Sequence, residues 1–293
     1  MNTRFEINLN TTDEEFNNAL SNKENIVKIF VNSYDKPLND FLCQFVNLIC
    51  LRFNGNYNYD IDFKNLIHLE NLSLPDNYTT QLDCNHLVNL MDLTLGWNYN
   101  LQTNFSLLTR LEHLTTGLEY NQPTDLSHLT NLSSVTLSIN FDQPLLLPSN
   151  LTRLIMGKNM TEPIDMTNLT NLQFLMMGEK YNETIDFTIL TSLRTLNFSR
   201  DFNNRVNISN LTNLTRLELG DRFNQTLNLF NLTNLRKFII GNDFAKPLNL
   251  CNLTNLEELN LGNNYNLQID FTALTNLTSL VINNDYPFEH PTF

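Results

Sequence analysis

Catalysis or metal binding needs side chains of particular types brought together. The 5 histidines, 4 cysteines and 8 glycines are therefore the first residues to weigh. His68, His86, His113, His128 and His290 have no ligand-type spacing, so a zinc site, which needs convergent ligands, is not expected. Cys43, Cys50, Cys84 and Cys251 form no metal-type pairs. A secreted disulfide scaffold of this length would carry more cysteines, and the pattern fits a reducing, cytoplasmic compartment. Gly96, Gly117, Gly157, Gly178, Gly220, Gly241 and Gly262 recur singly and read as turns leaving successive strands, not as a phosphate loop. His113 with Glu112 and Asp92 is the one set that could form a general acid–base pair. Cys50 could face the same surface, where the sequence marks no cationic neighbour to activate it. No set converges further, so the chain reads as non-enzymatic, with no catalytic residue, cofactor or metal expected.

These residues are positioned by a repeat. Aligned on the first Leu of L-x-x-L-x-L, copies begin at 48, 69, 90, 111, 132, 151, 172, 193, 214, 235, 256 and 277, every 21 residues except for one step of 19. A weaker copy at Ile26 brings the count to 13. Nine residues after the first Leu stands an aromatic in every copy from 48 onward, from Tyr57 to Tyr286, with Met160 the sole exception. Leu259 and Leu261 illustrate the consequence: two residues apart, they share one face of an extended strand. A short strand with one apolar face is unstable alone. Stacking identical turns pairs each strand with the next and merges the apolar slots into one core. The expected fold is a mainly β solenoid of about 13 turns, with a curved parallel sheet on its concave side. The aromatics should stack as an internal column. The second half of each turn is too short for an average helix, so 3₁₀ turns or short second strands are expected on the convex side.

The L-x-x-L-x-L phrase resembles a leucine-rich repeat of the short class whose convex side is not α-helical. The aromatic-Asn-x-Pro phrase is closer still: "FDQPLLLPSNLTRLIMG" (141–157), "YNQPTDL" (120–126), "FNQTLNL" (223–229) and "FAKPLNL" (244–250) resemble the FNIP repeats of large DNA viruses and social amoebae. The resemblance covers residues 26–286 and implies a repeat solenoid that binds proteins; a viral member would work in the host cytoplasm. Thr184, Arg205 and Thr226 replace the Pro. The family's Asn eight residues after the first Leu is kept at Asn56, Asn77, Asn98, Asn140, Asn159 and Asn264 but not at Glu119, Lys180 or Arg222, which argues against a continuous Asn ladder there. About 25 residues precede the first copy, too few for the F-box that some viral members carry. Residues 1–25 read as an N-terminal cap with a helical turn near Asp13–Leu20, 26–286 as the solenoid, and 287–293 as a C-terminal cover. The short step before Leu151, with Pro144 and Pro148, predicts a local change of curvature.

What the repeat offers is a surface. Side chains two and four residues after the first Leu should face outward from the sheet; most are polar, but Ile155, Phe174, Met176 and Ile239 are not. Seven residues after the first Leu, adjacent turns carry Trp97, Leu118 and Ile139, an apolar stripe in which the only Trp invites partner contact. The alternative is that Trp97 folds back over its own loop. Net charge is −13, unfavourable for general binding of nucleic acid or anionic membrane. Residues 153–246 nevertheless hold 11 of the 18 basic residues against 9 acidic ones, with Arg153, Arg216 and Lys237 at one outward position and Arg194 and Arg236 beside it. The leading expectation is protein binding through the concave face by Trp97, Leu118, Ile139, Ile155, Phe174 and Met176, flanked by Arg153, Arg194, Arg216 and Lys237. Binding of nucleic acid or a phosphorylated ligand by the basic stretch, and structural self-association through end strands, are the alternatives. No run reaches the ~20 apolar residues of a membrane span, and no feature identifies the partner or the oligomeric state.

Overall fold

The computed structural model describes residues 3–291 and divides the chain into two compact units, Met1–Pro148 and Ser149–Phe293. The division falls inside the 19-residue step. The chain is a parallel-strand β-solenoid of about 13 turns.

In the N-terminal unit the elements run β1 (Arg4–Asn8), α1 (Asp13–Ser21), β2 (Lys28–Asn32), α2 (Asn39–Leu42), β3 (Cys50–Asn54), β4 (Asn71–Ser73), β5 (Asp92–Thr94), β6 (His113–Thr115), β7 (Thr124–Asp125), β8 (Ser134–Thr136) and β9 (Leu145–Leu146). One parallel sheet runs β1-β2-β3-β4-β5-β6-β8, and β7 pairs with β9 separately. The C-terminal unit stacks β10 (Arg153–Ile155), β11 (Phe174–Met176), β12 (Thr195–Asn197), β13 (Arg216–Glu218), β14 (Lys237–Ile239), β15 (Glu258–Asn260) and β16 (Ser279–Val281) in sequence order. Registers are constant: Leu72 lies beside Leu93 and then Leu114, and Leu196 beside Leu217 and then Phe238, all buried. The exception is the outermost strand, β16, whose Leu280 is partly exposed.

The outer half of each turn takes both expected forms. Most turns close by successive three-residue bonds, as where Leu66 N–H donates to Phe63 O and Leu69 N–H to Leu66 O. Phe187–Ile189 is a 3₁₀ helix, and β7 with β9 supplies the short second strands. At the N-terminal end, β1 is a strand the 21-residue period does not mark. Helix α1 opens on a capping box between Thr12 and Glu15. Its Phe16 packs 5.9 Å from Phe5 and 4.8 Å from Phe41, centroid to centroid.

The aromatic column exists in each unit. Tyr78, Tyr99, Tyr120 and Phe141 stack in one, and Phe202, Phe223, Phe244 and Tyr265 in the other, at 6.1–6.3 Å between centroids. That is wider than the ~4.8 Å between paired strands, so within each unit the turns splay away from the sheet. Tyrosine hydroxyls in the column also accept backbone N–H groups of the preceding turn, Leu38 at 2.8 Å by Tyr57 and Leu82 at 3.2 Å by Tyr99.

Asparagine supplies ladders elsewhere than the eighth position. There, contacts are exposed pairs such as Asn98 Nδ2 to Asn77 Oδ1 at 2.6 Å. Two residues later, Asn182 Oδ1 accepts Asn203 N–H, Asn203 accepts Asn224 N–H, and Asn224 accepts Ala245 N–H, all at 2.9–3.0 Å. The Asn before the first Leu forms a second ladder: Asn213, Asn234, Asn255 and Asn276 each donate to a carbonyl of the preceding turn at 2.8–3.0 Å.

The repeated glycines answer to space more than to backbone conformation. A Cβ on Gly220 would lie 1.6 Å from Ser199 O, and one on Gly117 1.7 Å from Gly96 O. Of the glycines among the described residues, only Gly55 and Gly262 have positive φ. Ser138 and Ser199 occupy the same repeat position, buried, each donating its hydroxyl to the carbonyl of the preceding aromatic, Tyr120 or Tyr181. The backbone path can therefore widen at some turns.

Two outcomes follow for stability. Gly220→Ala should cost about 2–3 kcal/mol by forcing that widening, read as a fall in the urea midpoint at unchanged m; an unshifted midpoint would rule out the close approach. Burial pushes the phenols of Tyr57, Tyr78, Tyr120 and Tyr265 up to about 12. The unfolded chain then loses these protons first, so the stability they contribute is complete below pH ~10 and is lost as pH rises from there towards 12. Absorbance of ionised tyrosine and loss of circular dichroism should rise together in that window.

Candidate functional site

Alternation along each strand buries the middle residue and turns its neighbours onto the open face of the sheet. In the N-terminal unit this sets Asp92 of β5 beside His113 of β6. No hydrogen bond or ion pair among the described residues joins the two side chains, so the possible acid–base pair is adjacent without being engaged. His128 lies on an outer turn, where Ser127 Oγ donates to Asp125 Oδ1 at 2.6 Å and the imidazole lies 3.5 Å from Asp125 Oδ2. That is an exposed Asx turn. Ser127 and Thr167 occupy equivalent places, and their hydroxyls hold Asp125 and Asp165 below the usual carboxylate range. Among the described residues no three His, Cys, Asp or Glu side chains are placed to hold a metal ion. Nor is any helix among them long and apolar enough to cross a membrane.

Trp97 does not fold back: it is 64% exposed, with Ile139 40% exposed and Leu118 half-buried in the same column. The backbone fixes their stacking. Asn98 N–H donates to Asp76 O, and Glu119 N–H to Trp97 O at 2.9 Å, one bond per turn. The same column in the C-terminal unit reads Lys158, Glu179, Arg200, Asp221. There Lys158 pairs with Glu179 at 3.0 Å and holds its carboxyl below the usual range. Asp221 accepts Asn242 Nδ2 at 2.8 Å. In the C-terminal unit the column carries alternating charges, with Lys158 paired to Glu179 and Arg200 to the neighbouring Asp201; in the N-terminal unit it presents uncovered apolar side chains.

The C-terminal unit's open face is less apolar and less basic than its sequence implies. The Arg153 guanidinium lies over the Phe174 ring, 3.9 Å from its centroid, with Phe174, Ile155 and Ile239 half-buried and Met176 exposed. Arg216 pairs with Glu218 at 2.9 Å, Arg236 with Glu257 at 2.6 Å, and Lys237 with Glu258. Of the four flanking cations expected there, Arg194 is left exposed without an ion pair among the described residues.

Two features lie outside the contact residues expected from the sequence. Val46, Ile67 and Val88, each nearly half exposed, form an apolar outer column where later copies mostly carry Thr. Cys50 does have cationic neighbours: Lys28 lies beside it in register, Arg52 stands two residues on in the same strand, and Arg4 is near. Burial still pushes its thiol up against these charges, so they do not activate it. The early turns are 24 and 22 residues apart by strand register, Arg4 to Lys28 to Cys50. That spacing hides the alignment.

No model of a known protein family matches the chain, and no curated protein matches it. Solved structures do. CroV588, described as a novel circular LRR protein, superposes with a TM-score of 0.70 at 22% identity over 96% of this chain and 50% of its own. The functional domain of InlJ from Listeria monocytogenes, described as including a cysteine ladder, gives 0.69 at 21% identity over 96% of this chain and 63% of its own. The chain thus spans about half to two-thirds of these neighbours, and at such identity the likeness is one of fold. Its own four cysteines are free; Cys43 and Cys251 share a repeat position but stand in turns far apart in the sequence, so they form no ladder.

Thiol chemistry checks this geometry. Exposed Cys251 should react with Ellman's reagent at once. Cys50 and Cys84, the latter's thiol pushed up to about 12 by burial, should react only on unfolding. Prompt reaction of all four would contradict the packing.

Proposed function

We propose that this leucine-rich-repeat solenoid is a non-enzymatic protein-binding module whose contact surface centres on Trp97, Leu118 and Ile139. The observation that carries the reading is the exposed Trp97 in an apolar column whose counterpart in the other unit is charged and holds the Lys158–Glu179 ion pair. Large exposed aromatics cost solubility and are concentrated at binding hot spots. Ile155, Phe174 and Met176 with Arg153 form a second, smaller contact area, and Arg194, Arg216 and Lys237 flank it. The paired carboxylates of Glu218 and Glu258 make the 153–246 stretch a weak candidate for nucleic acid or phosphorylated ligands.

The aromatic-Asn-x-Pro phrases place the chain with FNIP-type repeats, in our reading, and with them a viral or amoebal source and a cytoplasmic setting. Residues 1–25 then serve as the cap, 26–286 as the binding solenoid and 287–293 as its cover.

Trp97→Ala should change stability by less than about 0.5 kcal/mol, since its side chain is largely in water, and the pair Trp97→Ala with Ile139→Ala by about 1 kcal/mol, since Ile139 is only partly exposed. Affinity capture with mass spectrometry should lose the partner at least tenfold in the double variant and retain it in Phe230→Ala, an exposed aromatic on an outer turn. Equal capture by all variants would remove the Trp97 column from the interface.

A further inference from the structure

The N-terminal end of the open face carries a cation cluster that the Trp97 column does not use. Strand register sets Arg4 beside Lys28 beside Cys50, and Glu6 beside Phe30 beside Arg52. The Arg4 guanidinium carbon lies 4.1 Å from the centroid of the half-buried Phe30 ring, and Arg4 pairs with Glu6 at 2.5 Å. Lys28 and Arg52 are exposed, and neither makes an ion pair among the described residues. Beneath them Cys50 is 6% exposed, near enough to Arg52, Lys28 and Arg4 for all three charges to act on its thiol. Adjacent strands are ~4.8 Å apart, so the cluster spans roughly 10 Å.

Its surroundings define what it can take. Residues 1–148 hold 7 basic and 17 acidic side chains, and three of the seven stand here. A long polyanion, whether nucleic acid or an anionic bilayer, would have to run on across acidic surface and be repelled. A compact anion would not. Arg4, Lys28 and Arg52 less Glu6 leave a local excess of two positive charges, which matches the −1.5 to −2 of a phosphate monoester near pH 7. Arg52 offers the planar fork that grips phosphate oxygens, Lys28 a point charge, and the Phe30 ring an apolar wall for the carbon atoms that carry the group.

We propose that Lys28, Arg52 and Arg4, around Phe30, bind a phosphorylated side chain on a partner protein. The site is independent of the Trp97 column and widens recognition from an apolar contact to one that modification of the partner can switch.

The test uses the whole chain and a short peptide of uncharged residues around one phosphoserine, with its unphosphorylated and Asp counterparts, in low salt by calorimetry. Binding should be confined to the phosphopeptide. Lys28→Gln and Arg52→Gln should each weaken it about tenfold, the double variant should abolish it, and Trp97→Ala should leave it unchanged. Both substituted side chains are exposed, and unchanged circular dichroism and Tm confirm that the variants fold. Equal binding of the Asp peptide, no binding of the phosphopeptide, or undiminished binding by the double variant would overturn the proposal. So would flotation with phosphoinositide vesicles that the double variant loses, which would assign the cluster to a lipid headgroup instead.

Discussion

Every turn of this chain leaves backbone N–H and C=O groups directed along the stacking axis, where only another turn can satisfy them. Ile49 O accepts both Glu70 N–H and Asn71 N–H, and Arg194 O accepts both Thr215 N–H and Arg216 N–H, at 2.8–3.0 Å. Each such bond contributes about 1 kcal/mol net, and an orphaned buried group costs more. The spacing of neighbouring turns is thereby held within narrow limits. Gly117 and Gly220 are glycines because at that spacing a methyl group would occupy the carbonyl oxygen of the turn before. The aromatic column and the asparagine ladders follow from the same translation, since any side chain that meets its own kind one turn away meets it again at every turn.

The parts of this arrangement legible in the sequence are those that repeat. The Leu period, with its weaker copy at Ile26, placed the strands of the main sheet from β2 onward, and the ninth-position aromatics placed the stacked column. The period of two in Phe5 and Ile7 of "RFEIN" could have revealed β1, but that strand precedes the regular spacing. The role of glycine was read as a turn because the sequence records an absent side chain without recording what stands in its place. The ladder made by the Asn before each first Leu is not legible either, since a bond to a carbonyl 22 residues earlier has no local signature.

The surface was harder to read, because charge there is settled by pairs formed between turns. Arg236 meets Glu257, and Lys237 meets Glu258, one turn along; Arg216 meets Glu218 within its own strand. A count of basic residues along the chain cannot see these pairs. The converse holds at Arg4, Lys28 and Arg52, which lie in an acidic stretch and become neighbours only through the register of β1, β2 and β3. Exposure of Trp97 was likewise undecidable from its spacing, since both of its possible orientations satisfy the repeat.

The two outermost strands of the sheet are finished differently. Beside β1, helix α1 and the rings of Phe5, Phe16 and Phe41 cover the apolar interior. At β16, Leu280 is left partly in water where its counterparts in earlier turns are sealed. An interior turn is gripped from two sides, and β16 from one. Opening of the C-terminal unit therefore has a direction: hydrogen exchange and proteolytic nicking should begin at β16 and proceed inward turn by turn.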